Sequence, residues 1–237
     1  MQGLLSAYDF LDVEFVKAID GRTMTDEERH LRFDYDGSVN LYGRNLNAGE
    51  IGCAMSHRKV YELLLNNDNP YALVLEDDIK IFRDLNSMDL QGIESLLNDS
   101  KPRVMMLSGD YGYYNKQSIV RLYSAVGAYA YIINKAAARL ILAINPPCSV
   151  ADDWMFYKRK GLKLYAAYPY MLDANVNMEL LGSDVKQDSW SIDRSKMPLK
   201  EIMIGAYTGI VKRLFKLFGH FEYKVRVLDD IVVDNSK

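Results

Sequence analysis

The feature that most constrains the fold is a run of five apolar residues followed at once by three carboxylates. Residues 71–75 read YALVL, and Glu76, Asp77 and Asp78 come next. A continuous apolar run of this length is typical of a central strand that helices cover on both faces. Comparable runs at 104–107 and 127–133 alternate with helical patterns at 51–66 and 135–143. This alternation predicts an α/β fold with a mainly parallel sheet and flanking helices.

Shorter patterns complete the predicted domain. Residues 13–19 (VEFVKAI) have the β-branched and aromatic content of a strand, which ends at the turn Asp20-Gly21-Arg22. We also predict a short helix that starts near residue 25, a helix at 90–97, a helix from 152 to 160 and a strand at 162–167.

Composition excludes several classes of protein. The 237 residues are 49% hydrophobic and 26% charged, with a net charge of −3, which argues against a disordered chain and against a general nucleic-acid binder. Because the sequence contains no apolar run of about 18 residues, we expect no transmembrane helix. The N-terminus lacks the pattern of a signal peptide. Cys53 and Cys148 are far apart, and we expect both to be buried thiols in a reducing compartment.

The acidic triplet is the sharpest chemical signal. In an open α/β sheet, ligands bind at the carboxyl ends of strands. In an extended segment Glu76 and Asp78 would point to the same side. Their oxygens suit Mg²⁺ or Mn²⁺, and either ion would neutralise charge on a diphosphate. The alternative is a solvated loop in which the aspartates cap a helix.

Two further groups of residues are candidates for a site. Asp20 follows the predicted strand at 13–19, where it could bind a ribose or uracil, although an Asp before Gly is also common in plain turns. Arg22 would meet a phosphate or lie at the surface. Asp152 and Asp153 open a predicted helix. One of them is our candidate general base, which would take the proton of an attacking hydroxyl group, and Asp153 is narrowly preferred. The alternative is that Asp152 caps this helix.

Three motifs in order resemble glycosyltransferase family 25. They are AIDGR at 18–22, GEIGCAMSH at 49–57 and YALVLEDD at 71–78. The family includes lipooligosaccharide galactosyltransferases of Gram-negative bacteria, and the resemblance covers roughly residues 10–185. It implies a GT-A-like fold of the Rossmann type, a UDP-sugar donor, and Mn²⁺ or Mg²⁺ at the acidic triplet. Members usually have a further strand before the first motif, whereas here only about a dozen residues precede Val13 and they favour a helix.

The resemblance also implies roles for individual residues. Glu76 and Asp78 would bind the metal. The donor-side residues would be Asp20, Arg22, His57, Glu76, Asp77 and Ser183. For His57 the alternative is an ordinary core or surface histidine.

The C-terminal part of the chain differs from the rest in charge. We predict a glycosyltransferase domain at 1–185, followed at 186–237 by a linker and a basic tail. Residues 196–226 contain seven basic and two acidic residues. On a helical wheel, residues 207–221 separate an apolar side (Ile210, Leu214, Phe218, Phe221) from a basic side (Lys212, Arg213, Lys216). Such a helix either lies on an anionic membrane surface or docks on the body of the protein.

Together these features predict a metal-dependent, inverting hexosyltransferase that acts on a lipooligosaccharide or lipopolysaccharide acceptor. The resemblance points to galactose in a β-1,4 linkage first and to glucose second. We expect a cytoplasmic protein bound peripherally to the inner face of the bacterial inner membrane. The alternatives are an inactive sugar-binding homologue and a metal-dependent phosphotransferase or nuclease. The sequence lacks a Walker-type phosphate loop, which counts against a kinase.

Overall fold

A computed structural model describes residues 2–113, 118–168, 171–174, 192–217 and 221–222. The predicted donor residue Ser183 and most of the predicted linker lie outside these ranges. The helices are α1 Gln2–Leu5, α2 Asp26–Arg32, α3 Tyr35–Tyr42, α4 Ala48–Asn66, α5 Leu90–Leu97, α6 Lys135–Leu142, α7 Trp154–Arg159 and α8 Leu199–Leu217. Two short 3₁₀ helices span Leu85–Ser87 and Arg194–Lys196.

The strands form an α/β fold. They are β1 Tyr71–Leu75, β2 Ile79–Ile81, β3 Arg103–Met106, β4 Asp110–Tyr113, β5 Ile119–Val126, β6 Ala130–Asn134, β7 Lys163–Ala167, β8 Leu172–Ala174 and β9 Phe221–Glu222. The main sheet has the order β1-β6-β3-β7-β5-β4-β9, and β2 pairs with β8 in a separate ribbon. The predictions for α4, α5, β3, α6 and β7 are confirmed to within a few residues.

The prediction of a mainly parallel sheet is wrong. Of the pairs formed by the described strands, β3 with β7 is parallel, and the other pairs are antiparallel. The strand β6 lies between β1 and β3 and runs against both, so the sheet is mixed. Strand β1 was predicted to be central, but it is the first strand in the described sheet order, and Val74 is its one buried residue. An apolar run therefore carries no information about strand direction or about the place of a strand in the sheet.

Helices and loops cover the sheet on both faces. Alternate residues of β3 and β6 face opposite sides, so Met106 and Tyr131 belong to one core cluster, while Met105 and Ile132 belong to the other. The first cluster also contains residues of α4, α6 and α7, and the second contains residues of α5. All five residues of β6 are buried. This layering is the arrangement expected of an α/β domain.

Residues 13–19 do not form the predicted strand. The segment is irregular, and Val13 and Phe15 are 40% and 58% exposed. Its end docks on α4: the Ile19 amide donates to the Ser56 Oγ over 2.8 Å. A strand needs a neighbouring strand for its backbone groups, and the segment instead uses a helix as its partner.

The N-terminus of α4 is capped by two reciprocal hydrogen bonds between Asn47 and Glu50. Asn47 accepts a hydrogen bond from the Glu50 amide, and the Glu50 carboxylate accepts one from the Asn47 amide. This reciprocal capping box satisfies two backbone donors at the helix start. Glu50 is 6% exposed and also forms an ion pair with Arg44 at 2.7 Å. The local sequence therefore defines where this helix begins.

Helix α8 carries an exposed apolar stripe. Its members are Leu199, Met203, Tyr207, Ile210, Leu214 and Leu217, which are 47–79% exposed. Near its start the Glu201 carboxylate is 3.5 Å from Arg159 of α7. No helix among the described residues is long and apolar enough to cross a membrane.

Candidate functional site

Glu76 stands at an edge of the sheet where several segments meet. The strands β1, β3 and β7 run in the same direction, so their carboxyl ends lie at this edge. The Glu76 amide donates to the Tyr129 carbonyl over 2.9 Å, and the Leu107 amide donates to the Ala130 carbonyl over 3.0 Å. Glu76 therefore lies beside the segment that enters β6, and Ser108 follows β3 at the same edge.

His57 connects helix α4 to Glu76. Its Nε2 is 3.2 Å from the Glu76 Oε1, and its Nδ1 is 2.6 Å from the Tyr131 hydroxyl. Tyr131 is also 2.6 Å from the Tyr61 hydroxyl, and both tyrosines are buried. A neutral His57 that donates from Nε2 to the carboxylate leaves Nδ1 free to accept from Tyr131. Two buried hydroxyls thus hold the imidazole in place against Glu76.

Cys53 lies one helical turn before His57, and its thiol also lies close to the Glu76 carboxylate. The Cys53 Sγ, a His57 ring nitrogen and a Glu76 oxygen all lie within 4.8 Å of one another. Burial raises the pKa of the Cys53 thiol to about 12, and nearby carboxylates such as Glu76 add to the rise. The sequence predicts only a plain buried thiol at this position. The signal that points to this cluster is the i, i+4 spacing of Cys53 and His57, which places both side chains on one helix face.

Asp77 and Asp78 do not continue the strand. They form a turn between β1 and β2, in which Asp77 is exposed and Asp78 is half-buried. The expectation that Glu76 and Asp78 share one side of an extended segment is therefore wrong. Asp78 is also not part of the three-residue group within 4.8 Å that the described residues contain.

The two aspartates before α7 have different surroundings. Asp153 is the N-cap: its Oδ1 accepts from the Phe156 amide, and its Oδ2 accepts from the Tyr42 hydroxyl at 2.8 Å. The alternative that Asp152 caps the helix is wrong. The Asp152 Oδ2 accepts from the Gly127 amide at 3.1 Å. Burial raises the pKa of Asp152, and the charges of Asp153 and Glu76 contribute to this rise.

Gly127 ties the start of α7 to the segment between β5 and β6. While its amide donates to Asp152, its carbonyl accepts from the Trp154 indole at 2.7 Å. Trp154 is fully buried and packs edge-on against Tyr131, so its side chain belongs to the core. This contact brings Asp152 towards the sheet edge that carries Glu76.

Asp20 and Arg22 pair with each other. The Arg22 Nε is 2.8 Å from the Asp20 Oδ1, and both side chains are exposed. Hydrogen bonds from Arg22 lower the pKa of Asp20, so this carboxyl remains ionised. The loop that holds the pair packs on α4 through Gly21 and Gly52, next to Cys53. The structure thus brings together the loop, α4 and Glu76, which correspond to the three sequence motifs.

Comparison with known proteins agrees with this arrangement of motifs. Residues 6–156 match the family described as Glycosyltransferase family 25 (LPS biosynthesis protein). The chain belongs to glycosyltransferase family 25. The matched part of this family 25 chain ends in α7 and includes Asp20, His57, Glu76 and Asp152.

Three curated relatives support the same assignment. The family 25 chain is 23% identical over 190 residues to procollagen galactosyltransferase 2 of Homo sapiens, an alignment that covers 68% of this chain and 30% of that protein. It is 37% identical over 73 residues to a glycosyltransferase 25 family member of Aedes aegypti, covering 30% of this chain and 12% of the relative. A family member of Anopheles gambiae is 34% identical over 82 residues, covering 32% and 14%. The chain therefore spans less than a third of the length of each of these relatives.

Proposed function

We propose that this family 25 glycosyltransferase moves galactose from a UDP-sugar to a lipooligosaccharide or lipopolysaccharide acceptor, with inversion at the transferred carbon. One observation carries the proposal: His57 and Glu76, from two separate motifs, meet at one sheet edge, and Asp152 is near enough for the charge of Glu76 to help raise its pKa. Galactose is favoured over glucose because one relative is named a galactosyltransferase. The acceptor class follows the description of the matched family.

We infer a GT-A-like arrangement for the donor half of the domain. Its support is the common direction of β1, β3 and β7, which places their carboxyl ends together. Ligands bind at such edges in open α/β sheets. The donor-side residues in this proposal are Asp20, Arg22, His57 and Asp77, with Ser183 outside the described residues.

The donor set after β1 fits a hard divalent cation. Glu76 and Asp78 are half-buried carboxylates, and carboxylate oxygens are the ligands that Mg²⁺ and Mn²⁺ prefer. Glu76 and Asp78 would hold the ion. Such an ion supplies neutralisation of the diphosphate leaving group.

Asp152 is the proposed general base. An inverting transfer forms a bond from the acceptor oxygen to the anomeric carbon while the bond to the UDP oxygen breaks, and the acceptor proton passes to a carboxylate. Asp153 uses both oxygens for the helix cap and for Tyr42. Asp152 engages its Oδ2 with a backbone amide, and its raised pKa suits a proton acceptor. We therefore now prefer Asp152 to Asp153 as the base.

Helix α8 is the proposed contact with the membrane that carries the acceptor. Its six exposed apolar residues occupy one side of the helix, within about 80° on a wheel. Lys200 and Arg213 flank this arc in the sequence pattern, which suits an anionic interface. The proposed location is the cytoplasmic face of the bacterial inner membrane, with peripheral attachment.

Titration calorimetry with UDP, with and without Mn²⁺, tests the donor site. We expect UDP binding that depends on the metal. A panel of UDP-sugars assayed for metal-dependent hydrolysis then identifies the hexose, with UDP-galactose turned over faster than UDP-glucose. Absence of heat at every metal concentration would instead indicate a sugar-binding homologue. Cleavage of simple phosphoesters without sugar transfer would indicate a phosphotransferase or nuclease.

A further inference from the structure

We propose that Cys53, His57 and Glu76 form a binding site for a borderline-soft divalent cation of the Zn²⁺ class. This site shares Glu76 with the hard-cation set but uses Cys53 and His57 in place of Asp78, and it does not depend on the proposed sugar transfer. It combines one thiol, one imidazole and one carboxylate, which is a typical mixture of zinc ligands.

The three ligand atoms are close to the spacing that a metal requires. Zinc bonds of about 2.0–2.3 Å at tetrahedral angles place ligand atoms roughly 3.3–3.6 Å apart. The His57 Nε2 and Glu76 Oε1 are already 3.2 Å apart. All three atoms lie within 4.8 Å of one another, so closing the set around an ion requires a shift of about 1 Å in these side chains. Three protein ligands leave a fourth position open to water or substrate.

The positions of the ligands favour a preformed site. Cys53 and His57 are four residues apart on the same helix, α4, which is anchored by a buried side that includes Ala54, Tyr61 and Leu64. Glu76 is held at the end of β1 by its amide bond to Tyr129. Two rigid elements therefore present the ligands, and little conformational entropy is lost when an ion binds.

Tyr131 and Tyr61 supply the outer shell. A histidine that binds a metal through Nε2 has its proton on Nδ1, which needs an acceptor. The Tyr131 hydroxyl lies 2.6 Å from Nδ1 and 2.6 Å from the Tyr61 hydroxyl, so it can accept from His57 and donate to Tyr61. Without the ion the same hydroxyl donates to Nδ1. The chain of hydroxyls thus serves both tautomers of His57.

The ligand types decide which cation is bound. Thiolate and imidazole select zinc and related transition metals, whereas Mg²⁺ and Mn²⁺ favour carboxylate, carbonyl and water oxygens. Since Glu76 belongs to both sets, occupancy by Zn²⁺ competes with binding of the hard cation. Zn²⁺ is therefore an inhibitor wherever Mn²⁺ supports activity.

Cobalt(II) absorption of the 237-residue chain tests the site directly. A bound Co²⁺ with a thiolate ligand gives a charge-transfer band in the near ultraviolet, which carboxylate ligands alone do not give. We expect this band at one Co²⁺ per chain, and we expect one equivalent of Zn²⁺ to remove it. Absence of the band in the wild-type protein would overturn the proposal.

The second cysteine provides a matched control. Cys53→Ser should abolish the band, whereas Cys148→Ser should keep it, because Cys148 is not in the ligand group found among the described residues and lies beside Gly37 of α3. Tyr131→Phe keeps the ring and all three ligands, and it should weaken Zn²⁺ binding by about 10- to 100-fold. A band that survives in Cys53→Ser, or unchanged affinity in Tyr131→Phe, would refute the site or its outer shell. Circular dichroism confirms that each variant is folded, and UDP binding measured in parallel keeps this result separate from the proposed transfer.

Discussion

Gly52 and Gly21 pack directly against each other. A β-carbon on Gly52 would lie 2.6 Å from the Gly21 nitrogen and 2.6 Å from the Ile19 carbonyl oxygen. One on Gly21 would lie 2.0 Å from the Ala48 carbonyl oxygen. This contact joins the Asp20–Arg22 loop to the first turns of α4 and explains why both motifs contain glycine. It also fixes the loop close to Cys53 and His57.

Gly52→Ala should therefore destabilise the protein. The added carbon meets backbone atoms, which cannot rotate away, so we expect a loss of about 1–3 kcal/mol as in other overpacked sites. For a protein of this size each kcal/mol lowers the unfolding midpoint by about 2–4 °C. The control is Gly209→Ala in α8, where a β-carbon meets nothing within 4 Å. That variant should gain about 0.5–1 kcal/mol, and equal midpoints for the two variants would contradict the contact.

Mutation of Asp152 should mainly reduce turnover, whereas mutation of Asp153 should mainly reduce stability. Asp152→Asn removes the proposed base, so turnover should fall by about 10²- to 10⁴-fold. Asp153→Ala removes the cap of α7 and should cost about 0.5–2 kcal/mol of stability, with a smaller loss of turnover. Steady-state kinetics and thermal denaturation of both variants provide the check. Full turnover in Asp152→Asn would show that Asp152 is not the general base.

The raised pKa of Asp152 makes its ionisation unfavourable in the folded state. Burial is the main cause, and the Gly127 amide offsets it only in part. The folded protein binds this proton more tightly than the unfolded chain does. Stability is therefore lost as the pH rises from the ordinary aspartate pKa of about 3.9 through the raised folded value. Asp152→Asn should not show this loss of stability, because an asparagine side chain does not ionise.

Urea denaturation over a series of pH values tests this expectation. The stability of Asp152→Asn relative to the wild-type protein should rise as the pH is increased from about 4 towards neutrality. A difference that stays constant would show that folding leaves the pKa of Asp152 unchanged, and a change in the opposite direction would show that folding lowers it.

Asp78→Asn should abolish metal-dependent transfer and leave the fold intact. The side chain is half-buried in the turn between β1 and β2, so we expect an unfolding midpoint within a few degrees of the wild-type value. Asp68→Asn, at an exposed position after α4, is the matched control and should keep full activity. Turnover retained by Asp78→Asn would exclude this carboxylate from the metal site.

The apolar stripe of α8 should control attachment to membranes. In Ile210→Gln/Leu214→Gln we expect binding to anionic vesicles to weaken at least about tenfold, because each buried side chain of this type contributes about 1.5–3 kcal/mol. Both positions are exposed, at 57% and 47%, so the unfolding midpoint should not fall. Glu62→Gln on the exposed side of α4 serves as the control. Unchanged co-sedimentation with vesicles would refute a membrane role for the helix.

Local sequence was sufficient to predict several elements. The helix α5 begins and ends at the predicted residues, and α4 starts at a capping box formed by Asn47 and Glu50. The strands β3 and β6 were visible as apolar runs. The strand prediction for residues 13–19 is wrong because it depends on composition alone. In the structure the Ile19 amide donates to a side chain of helix α4 and not to a neighbouring strand.

Residue types and spacing by themselves determined the family motifs, the acidic triplet after β1 and the choice of Asp152 and Asp153 as candidates, because these depend on neighbours along the chain. Only the tertiary structure decided the surroundings of the two aspartates, since Tyr42 binds Asp153 from 111 residues away. It also decided the mixed strand directions and the meeting of Cys53, His57 and Glu76. Hydrogen bonds between distant segments control these features, and no local pattern encodes their partners.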